Sequence, residues 1–260
     1  MEKQKTKPKR KYSVPALDNA FSILKLLSRK RFRESTVTEI ANALSLNPAT
    51  CYRILQVLEE HSIVRYLEDK KRYTLGPYLV VLGERAKEHL DYISVIMPYM
   101  QDLTNKTGMT SILVNKISDN KLAIIAKVES HDYGITVSVG RHFSITDGSY
   151  GMCFLAYMDR EERERHLTND RGLRTFTLED MEFVDKETEK VKESGFYVTY
   201  GEYLKGICAV AAPVFTRPDK VEMSIALVGL TAQFDKEELY FKGEQIKEVA
   251  KEISNKIMRY

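Results

Sequence analysis

Two short amphipathic segments with almost no chain between them constrain the fold more than any other feature of this sequence. They read TVTEIANALSL, residues 36–46, and NPATCYRILQVLEE, residues 47–60. In the first segment, Thr36 and Glu39 have the spacing of a capping box, in which each side chain accepts a hydrogen bond from the other residue's backbone amide. The pattern predicts two short helices joined by a tight turn.

The second segment has two different helix faces. Asn47 and Pro48 fit the N-cap and the first helical position, because a proline there gives up no hydrogen bond. An inner apolar stripe recurs at helical spacing, namely Cys51, Ile54, Leu55 and Leu58. The opposite face carries small or planar polar side chains, namely Ala49, Tyr52, Arg53, Gln56 and Glu60. Such a face on the second helix is typical of a helix that enters the major groove of DNA.

A helix precedes this pair and a hairpin follows it. The segment PALDNAFSILKLLSRK is expected to bury one stripe, namely Leu17, Ala20, Phe21, Leu24 and Leu27. After the pair, the strand-like runs IVRYL and RYTLG flank the turn EDKK. We therefore predict a winged helix-turn-helix in residues 12–76.

The distribution of charge supports a polyanionic partner for this region. Residues 1–76 carry a net charge of +8 and the remainder carries −5, within a total of +3. Residues 1–11 hold six of the basic side chains and are expected to form a disordered basic arm, which either follows the DNA or only aids solubility. The alternative for residues 12–76 is a three-helix packing module that binds no nucleic acid.

We predict two classes of DNA contact. Phosphate contacts give affinity without reading sequence, and we assign them to Thr36, Thr38, Lys70, Lys71 and Arg72. The groove-facing residues are Ala49, Thr50, Tyr52, Arg53 and Gln56. Arg53 has the donors for guanine O6 and N7, and Gln56 can pair with adenine. The alternatives are that Tyr52 packs against the wing and that Arg53 binds a phosphate.

The hydrophobic period changes further along the chain. Residues 77–92 have a helical pattern with little apolar area, which predicts a linker helix that helps to form a dimer. The next helix is expected to be interrupted at Pro98 and to end before Gly108. Strands of period two are then predicted at TSILVN, KLAIIAKVE and ITVSVG. A helix at GSYGMCFLAYM and two further helices follow. Three more strands are predicted after them, at FYVTY, GICAVAAPVF and EMSIALVGL. Residues 93–260 are therefore predicted to form an α+β domain, an antiparallel sheet with helices on its faces.

Several classes of protein are disfavoured. No apolar run reaches the length of a membrane span, and no apolar segment of a signal peptide follows the basic amino terminus, so we expect a cytoplasmic protein. Three distant cysteines and five scattered histidines predict neither a disulfide framework nor a metal site, and we expect no cofactor. GxSxG, GxGxxG and P-loop motifs are absent. An enzyme domain fused to a winged helix is kept as the alternative function.

The chain resembles the isocitrate lyase regulator (IclR) family of bacterial transcriptional regulators. The resemblance lies in ALDNAFSILKLL, VTEIANALSLNPATCYRILQVLEEHSIV and RYTLG, and later in GSYGMCFLA, GFYVTYGEYLKGICAVAAPVF and IALVGL. It implies an amino-terminal winged helix, a linker helix and a carboxy-terminal GAF-like domain that binds a small effector. It also implies homodimers, often paired into tetramers, that bind palindromic operators in double-stranded DNA.

The resemblance also implies effector-contacting positions. These fall at Ser149, Tyr150, Gly151, Thr199, Glu202, Ala209, Ala226 and Val228, with plain core packing as the alternative for each. The amides at the start of the helix containing SYGM suit a carboxylate, so an organic acid is expected. Because the last three positions are small and apolar here, the pocket is predicted to favour a larger or partly aromatic acid.

Two departures from the family are visible. Where the family has Lys-Ser-Thr at the start of the recognition helix, this chain has Pro48, Ala49 and Thr50. Arg53 and the basic wing are therefore expected to carry more of the phosphate binding. Where the family commonly has Gly-Lys-Ala beside the pocket, this chain has Gly151, Met152 and Cys153.

Overall fold

The computed structural model of the chain describes residues 14–89, 91–131, 135–169 and 178–258. The predicted basic arm, residues 1–11, lies outside this part. Two compact units divide the chain, residues 1–90 and residues 91–260. No helix in the described ranges combines the length and the apolar character that a bilayer span requires.

The first unit contains the predicted winged helix-turn-helix and the helix that follows it. Its elements in chain order are α1 (Pro15–Leu27), a 3-10 turn (Lys30–Phe32), α2 (Val37–Leu44), α3 (Pro48–Glu60), β1 (Val64–Leu67), β2 (Arg72–Leu75) and α4 (Tyr78–His89). The strands β1 and β2 pair antiparallel as the wing. The core is closed by apolar side chains from the three helices and the wing, including Ile23, Ile40, Leu55 and Val64, each at most 1% exposed.

The predicted caps are confirmed. Thr36 and Glu39 form both hydrogen bonds of a capping box at the start of α2. At the start of α3, the Ala49 amide donates to Asn47 Oδ1 over 2.9 Å, and Pro48 holds the first helical position. Between these helices the chain turns at Ser45, whose φ of 54° is left-handed. The stripe that begins at Cys51 faces the core as predicted.

The buried face predicted for α1 was wrong in part. Leu17 and Phe21 are 53% and 52% exposed, whereas Ile23 and Leu26 are buried. The core contacts are concentrated in the second half of α1, so the apolar residues near its amino end are left on the surface of this unit.

The second unit is an α+β domain, as predicted. Its helices are α5 (Asp91–Thr107), α6 (Gly148–Leu155), α7 (Arg160–Asn169), α8 (Leu178–Ser194) and α9 (Lys236–Ile257). Its strands are β3 (Thr110–Ser118), β4 (Lys121–Val128), β5 (His142–Ser144), β6 (Tyr197–Tyr200), β7 (Ile207–Arg217) and β8 (Lys220–Leu230). They form one antiparallel sheet in the order β5-β4-β3-β8-β7-β6.

Helices cover both faces of this sheet, which explains the long apolar runs in β7 and β8. On one face, Val210 and Ile225 pack against α5 and α9. On the other face, Ala211 and Ala226 pack beside α6, with Phe154 of that helix. Because neighbouring residues of a strand point to opposite faces, a strand with two covered faces is apolar at nearly every position.

Two local predictions for this domain were wrong. Residues 135–140, ITVSVG, are not a strand; β5 follows them instead. Their alternating pattern arises because Ile135 and Val137 pack into the core beside α6 without strand pairing. Pro98 does not interrupt α5, since the helix continues to Thr107. Proline has no backbone N–H and cannot donate the helical hydrogen bond, and the burial of Ile96 and Met100 on the sheet offsets this loss of stability.

The predicted end of α5 is confirmed. Gly108 follows the last helical residue with a φ of 69°, a backbone conformation that side chains disfavour. Its amide donates to the Thr104 carbonyl over 2.9 Å and closes the helix.

Candidate nucleic-acid interface and ligand cavity

The outward face of α3 carries the residues predicted to meet DNA bases. Ala49, Tyr52, Arg53 and Gln56 are exposed, and Thr50 is half-buried. The Tyr52 side chain is 50% exposed. Arg53 makes no ion pair with any residue that the structure describes. A planar cation with five donors is therefore available on the helix surface.

Gln56 is held more firmly than the sequence suggested. Its Nε2 atom donates to Tyr73 Oη over 3.0 Å and to Glu59 Oε2 over 3.3 Å. The Tyr73 ring belongs to β2 and is buried, and this burial raises the pKa of its hydroxyl. Gln56 therefore ties α3 to the wing while it stays exposed.

Three basic residues of the wing are predicted to bind phosphate, and their surroundings differ. Lys70 Nζ lies 2.9 Å from Glu34 Oε2, and Arg72 forms a two-point pair with Glu39, with N–O distances of 2.8 and 3.1 Å. Lys71 is exposed at the tip of the wing with a φ of 52°. Of these three residues, it is the one for which no ion pair with a described carboxylate is present.

The Arg72–Glu39 pair joins the wing to α2. The Thr36 backbone amide, and then the Arg72 guanidinium, hold the pKa of Glu39 below its usual value. Lys70 does the same for the pKa of Glu34. Both pairs are partly exposed, so their electrostatic contribution is screened by solvent. Their clear effect is geometric, because they fix the position of the wing relative to α2.

The remaining predicted phosphate contacts and one missed group lie at the start of α2. Thr36 is half-buried with its hydroxyl in the capping box, and Thr38 is exposed two residues further on. Sequence reasoning missed the exposed cations before α2, namely Arg29, Lys30, Arg31 and Arg33. Their density in the stretch SRKRFRES was the signal that could have identified them.

A cavity lies in the second unit between the start of α6 and the sheet. Its volume is ≈ 100 Å³. Its lining is mostly apolar with a few polar groups: Ile112, Ile124, Ile135, Thr136, Val137, Arg141, Phe143, Gly148, Ser149, Tyr150, Thr199, Tyr203, Leu204, Ile207, Ala209 and Val228. An apolar wall with a few convergent polar groups is the usual character of a small-molecule site.

Five of the predicted effector positions line this cavity. Ser149 and Tyr150 come from α6, whereas Thr199, Ala209 and Val228 lie directly opposite one another on β6, β7 and β8. The strand register therefore brings together residues that are far apart in sequence.

Three predicted effector positions do not line the cavity. Ala226 is fully buried one row along the sheet from Val228. The Glu202 carboxylate accepts a hydrogen bond from the Tyr200 amide. Gly151 sits where a Cβ atom would lie 2.5 Å from the Ile145 carbonyl oxygen, so its role is the close approach of α6 to the preceding loop.

Ser149 is an unusual residue of the cavity wall. It is 0% exposed, and its Oγ atom makes no hydrogen bond with any described residue. It lies in the first turn of α6, where backbone amides lack helical acceptors and the helix dipole is positive. A buried hydroxyl without an acceptor or donor partner is costly, so this one is suited to bind a ligand.

Aromatic side chains line another part of the cavity, and sequence reasoning missed two of them, Phe143 and Tyr203. Tyr150 packs between Phe143 and Tyr203, with ring centroids 4.7 and 6.3 Å away. Burial raises the pKa of Tyr150 strongly, and burial with the charge of Asp147 raises that of Tyr203 to about 12. Both phenols are therefore neutral hydrogen-bond donors at neutral pH. No periodic pattern marks Phe143 or Tyr203, because loops and tertiary packing bring them here.

The arrangement does not suit nucleophilic or metal chemistry. Cys153 is fully buried, and burial raises the pKa of its thiol, which disfavours the reactive thiolate. Within the described residues, no cluster of His, Cys, Asp and Glu side chains is arranged to hold a metal ion.

Family models match both units of the chain. A model described as the IclR helix-turn-helix domain matches residues 16–68, and one described as the bacterial transcriptional regulator IclR C-terminal region matches residues 84–255. The chain belongs to the IclR family. A curated relative, the HTH-type transcriptional regulator KdgR of Escherichia coli, is 26% identical over 245 residues, which cover 93% of this chain and 92% of KdgR.

Solved structures of IclR regulators have the same fold. A transcriptional regulator from Alicyclobacillus acidocaldarius is 36% identical with a TM-score of 0.85, covering 95% of this chain and 100% of that one. An IclR homolog from Microbacterium hydrocarbonoxydans, solved in complex with 4-hydroxybenzoate, is 19% identical with a TM-score of 0.78, covering 94% and 100%. Together with the family models, these likenesses confirm the resemblance and the fold class, and this IclR protein is a transcriptional regulator with a helix-turn-helix DNA-binding domain.

Proposed function

We propose that this IclR regulator binds palindromic operator DNA as a homodimer or a pair of homodimers in the cytoplasm, and that a small organic acid modulates this binding. The single observation that carries the DNA half is the exposed face of α3, where Arg53 and Tyr52 project beside a wing held in place by the Arg72–Glu39 pair. An exposed planar cation on such a helix has the geometry for guanine in the major groove.

Phosphate binding by this regulator rests on exposed cations around α3. Lys71 at the wing tip and the cations of residues 29–33 are the best placed, because no described carboxylate pairs with Lys71. Lys70 and Arg72 can contribute when a phosphate oxygen competes with Glu34 or Glu39. Thr36 and Thr38 add hydroxyl donors near the start of α2.

Exposed apolar side chains support a homo-oligomer. At the N-cap of α1, Val14 is 59% exposed, and on the helix Leu17 and Phe21 are 53% and 52% exposed, with the spacing of one helix face. On α4, Val80 is 67% exposed. Exposed apolar side chains on two helices of one small unit favour pairing with a second copy, in which α4 also serves as the linker helix.

The cavity supports an organic acid as effector. The free amides at the start of α6 and the Ser149 hydroxyl would hold the carboxylate, and the apolar wall formed by residues such as Ala209 and Val228 would hold the hydrocarbon part. The Microbacterium homolog was solved in complex with 4-hydroxybenzoate, which is an aromatic acid and therefore supports this choice of effector class.

A DNA mobility-shift titration with fragments upstream of the gene tests this function, with and without a panel of aromatic and aliphatic acids. We expect a specific fragment to shift and at least one acid to change its apparent Kd. The Arg53→Ala variant should weaken specific binding by about 1–3 kcal/mol, because it removes a base or phosphate contact.

The matched control for this titration is Arg217→Ala. Arg217 is an equally exposed arginine at the end of β7, outside the proposed interface. Equal binding by Arg53→Ala and Arg217→Ala would contradict the proposed docking. A protein that shifts no fragment, with or without acids, would refute the proposed function as a whole.

A further inference from the structure

We infer that Arg141 is a ligand-binding residue of the effector cavity and makes it selective for an acid over the matching neutral compound. This inference rests on the proposed effector function and specifies the same site further. Arg141 is the one charged side chain among the described residues that line the cavity. An anion that enters an apolar cavity loses hydration, and a cation in the wall offsets that loss.

The backbone of Arg141 is held in a fixed position. Its carbonyl accepts a hydrogen bond from the Ile124 amide over 3.1 Å, and the preceding Gly140 donates to the Ile124 carbonyl over 2.8 Å. These bonds attach the segment to β4, where it leads directly into β5. The base of the side chain is therefore part of the sheet edge and does not depend on the ligand for its position.

The guanidinium group is oriented by the cavity wall. Its Cζ atom lies 5.1 Å from the centroid of the Phe143 ring, which in turn packs 4.7 Å from the Tyr150 ring. Stacking on an aromatic face leaves the donors at the edge of a guanidinium free for a planar acceptor. Burial raises the pKa values of Tyr150 and Tyr203, and the positive charge of Arg141 opposes a part of that shift, so it acts on the hydroxyls that line the cavity.

Asp147, an acidic residue beside the cavity, does not neutralise Arg141 through an ion pair. Asp147 accepts a hydrogen bond from the Ser144 amide over 2.8 Å, and its charge raises the pKa of Tyr203. Asp147 is not among the lining residues, and no described residue forms an ion pair with Arg141. Arg141 is therefore the charged group that the described lining itself presents, which a carboxylate complements and a neutral amide does not.

Isothermal titration calorimetry with matched probes tests the inference. The probes are benzoate, 4-hydroxybenzoate and phenylacetate, each compared with its carboxamide, on the full-length protein. For the wild type we expect at least one acid to bind at least tenfold more tightly than its amide. In Arg141→Gln this preference should fall to within about threefold, and Arg141→Lys should lie between the two.

The control variant is Arg217→Gln, which should keep the wild-type preference. The melting temperature of Arg141→Gln should match the wild type, because Arg141 is exposed and makes no described ion pair. An undiminished preference for the acid in Arg141→Gln would overturn the inference while leaving the proposed effector function intact. A wild-type protein that binds none of the acids would refute the proposed effector function and the inference with it.

Discussion

Replacing Ser149 by alanine should stabilise the protein and weaken its effector binding at the same time. The Ser149 Oγ atom is fully buried and makes no hydrogen bond with a described residue. A buried hydroxyl in that state costs about 1–3 kcal/mol, and alanine also suits a helix slightly better than serine. Against this stands the lost packing of a single oxygen atom. We expect the free energy of unfolding to rise by about 1 kcal/mol.

A matched serine in the same domain should respond in the opposite direction. Ser111 on β3 is also 0% exposed, but its Oγ atom accepts from Thr104 Oγ1 over 2.8 Å and donates to the Met100 carbonyl over 3.1 Å. Ser111→Ala leaves both partners without that hydroxyl, which should cost about 1–2 kcal/mol.

Differential scanning calorimetry on the ligand-free proteins separates the two cases. For a domain of this size, about 1 kcal/mol corresponds to a shift of about 2–4 °C in Tm. Ser149→Ala should therefore melt above the wild type and Ser111→Ala below it. With the effector bound, Ser149→Ala should lose about fivefold to tenfold in affinity, the worth of one hydrogen bond. If both variants melt below the wild type, Ser149 has a hydrogen-bond partner and the reasoning is refuted.

Two further predictions concern the DNA-binding unit. Glu39→Gln keeps the cap but removes the charge that pairs with Arg72, so it should cost less than about 1 kcal/mol at neutral pH. Because the pKa of Glu39 is lowered in the folded state, its contribution is complete above the ordinary value of 4.5 and is lost as the pH falls further. In thermal melts, the difference in Tm between the variant and the wild type should therefore become smaller as the pH falls through that acid range. A difference in Tm that stays constant with pH would contradict a stabilising Arg72–Glu39 pair. By analytical ultracentrifugation we expect the wild type to be oligomeric and the double variant Leu17→Asp, Phe21→Asp to be monomeric at the same concentration. Ile117→Asp, a control on the other unit, should behave as the wild type does.

The elements of the first unit could be predicted because their signals are local. The cap at Asn47, the capping box at Thr36 and the stripe that begins at Cys51 each act within one or two helical turns. The partners of the wing cations could not be predicted, because Lys70 meets Glu34 from 36 residues away in sequence. Such pairs depend on the tertiary fold, and single-sequence patterns do not contain it.

The second unit shows where periodicity fails. Alternation at Ile135 and Val137 predicted a strand, yet it reflects burial of alternate side chains without hydrogen-bonded pairing. The cavity positions on β6, β7 and β8 were anticipated through the family resemblance. Arg141 and Tyr203 were not, because they lie in irregular segments where no period signals which side chains face inward.

The alanines of β7 and β8 beside α6 have a consequence for the width of the cavity. Ala211 and Ala226 pair across β7 and β8, and Ala209 lies in the adjoining row as part of the cavity wall. Ala209 could gain a methyl or two at the cavity wall without breaking a backbone hydrogen bond, whereas Ala211 and Ala226 are fully buried and a side chain added at Gly151 would meet the Ile145 carbonyl. A single substitution at Ala209 is therefore expected to narrow the cavity while the start of α6 keeps its position.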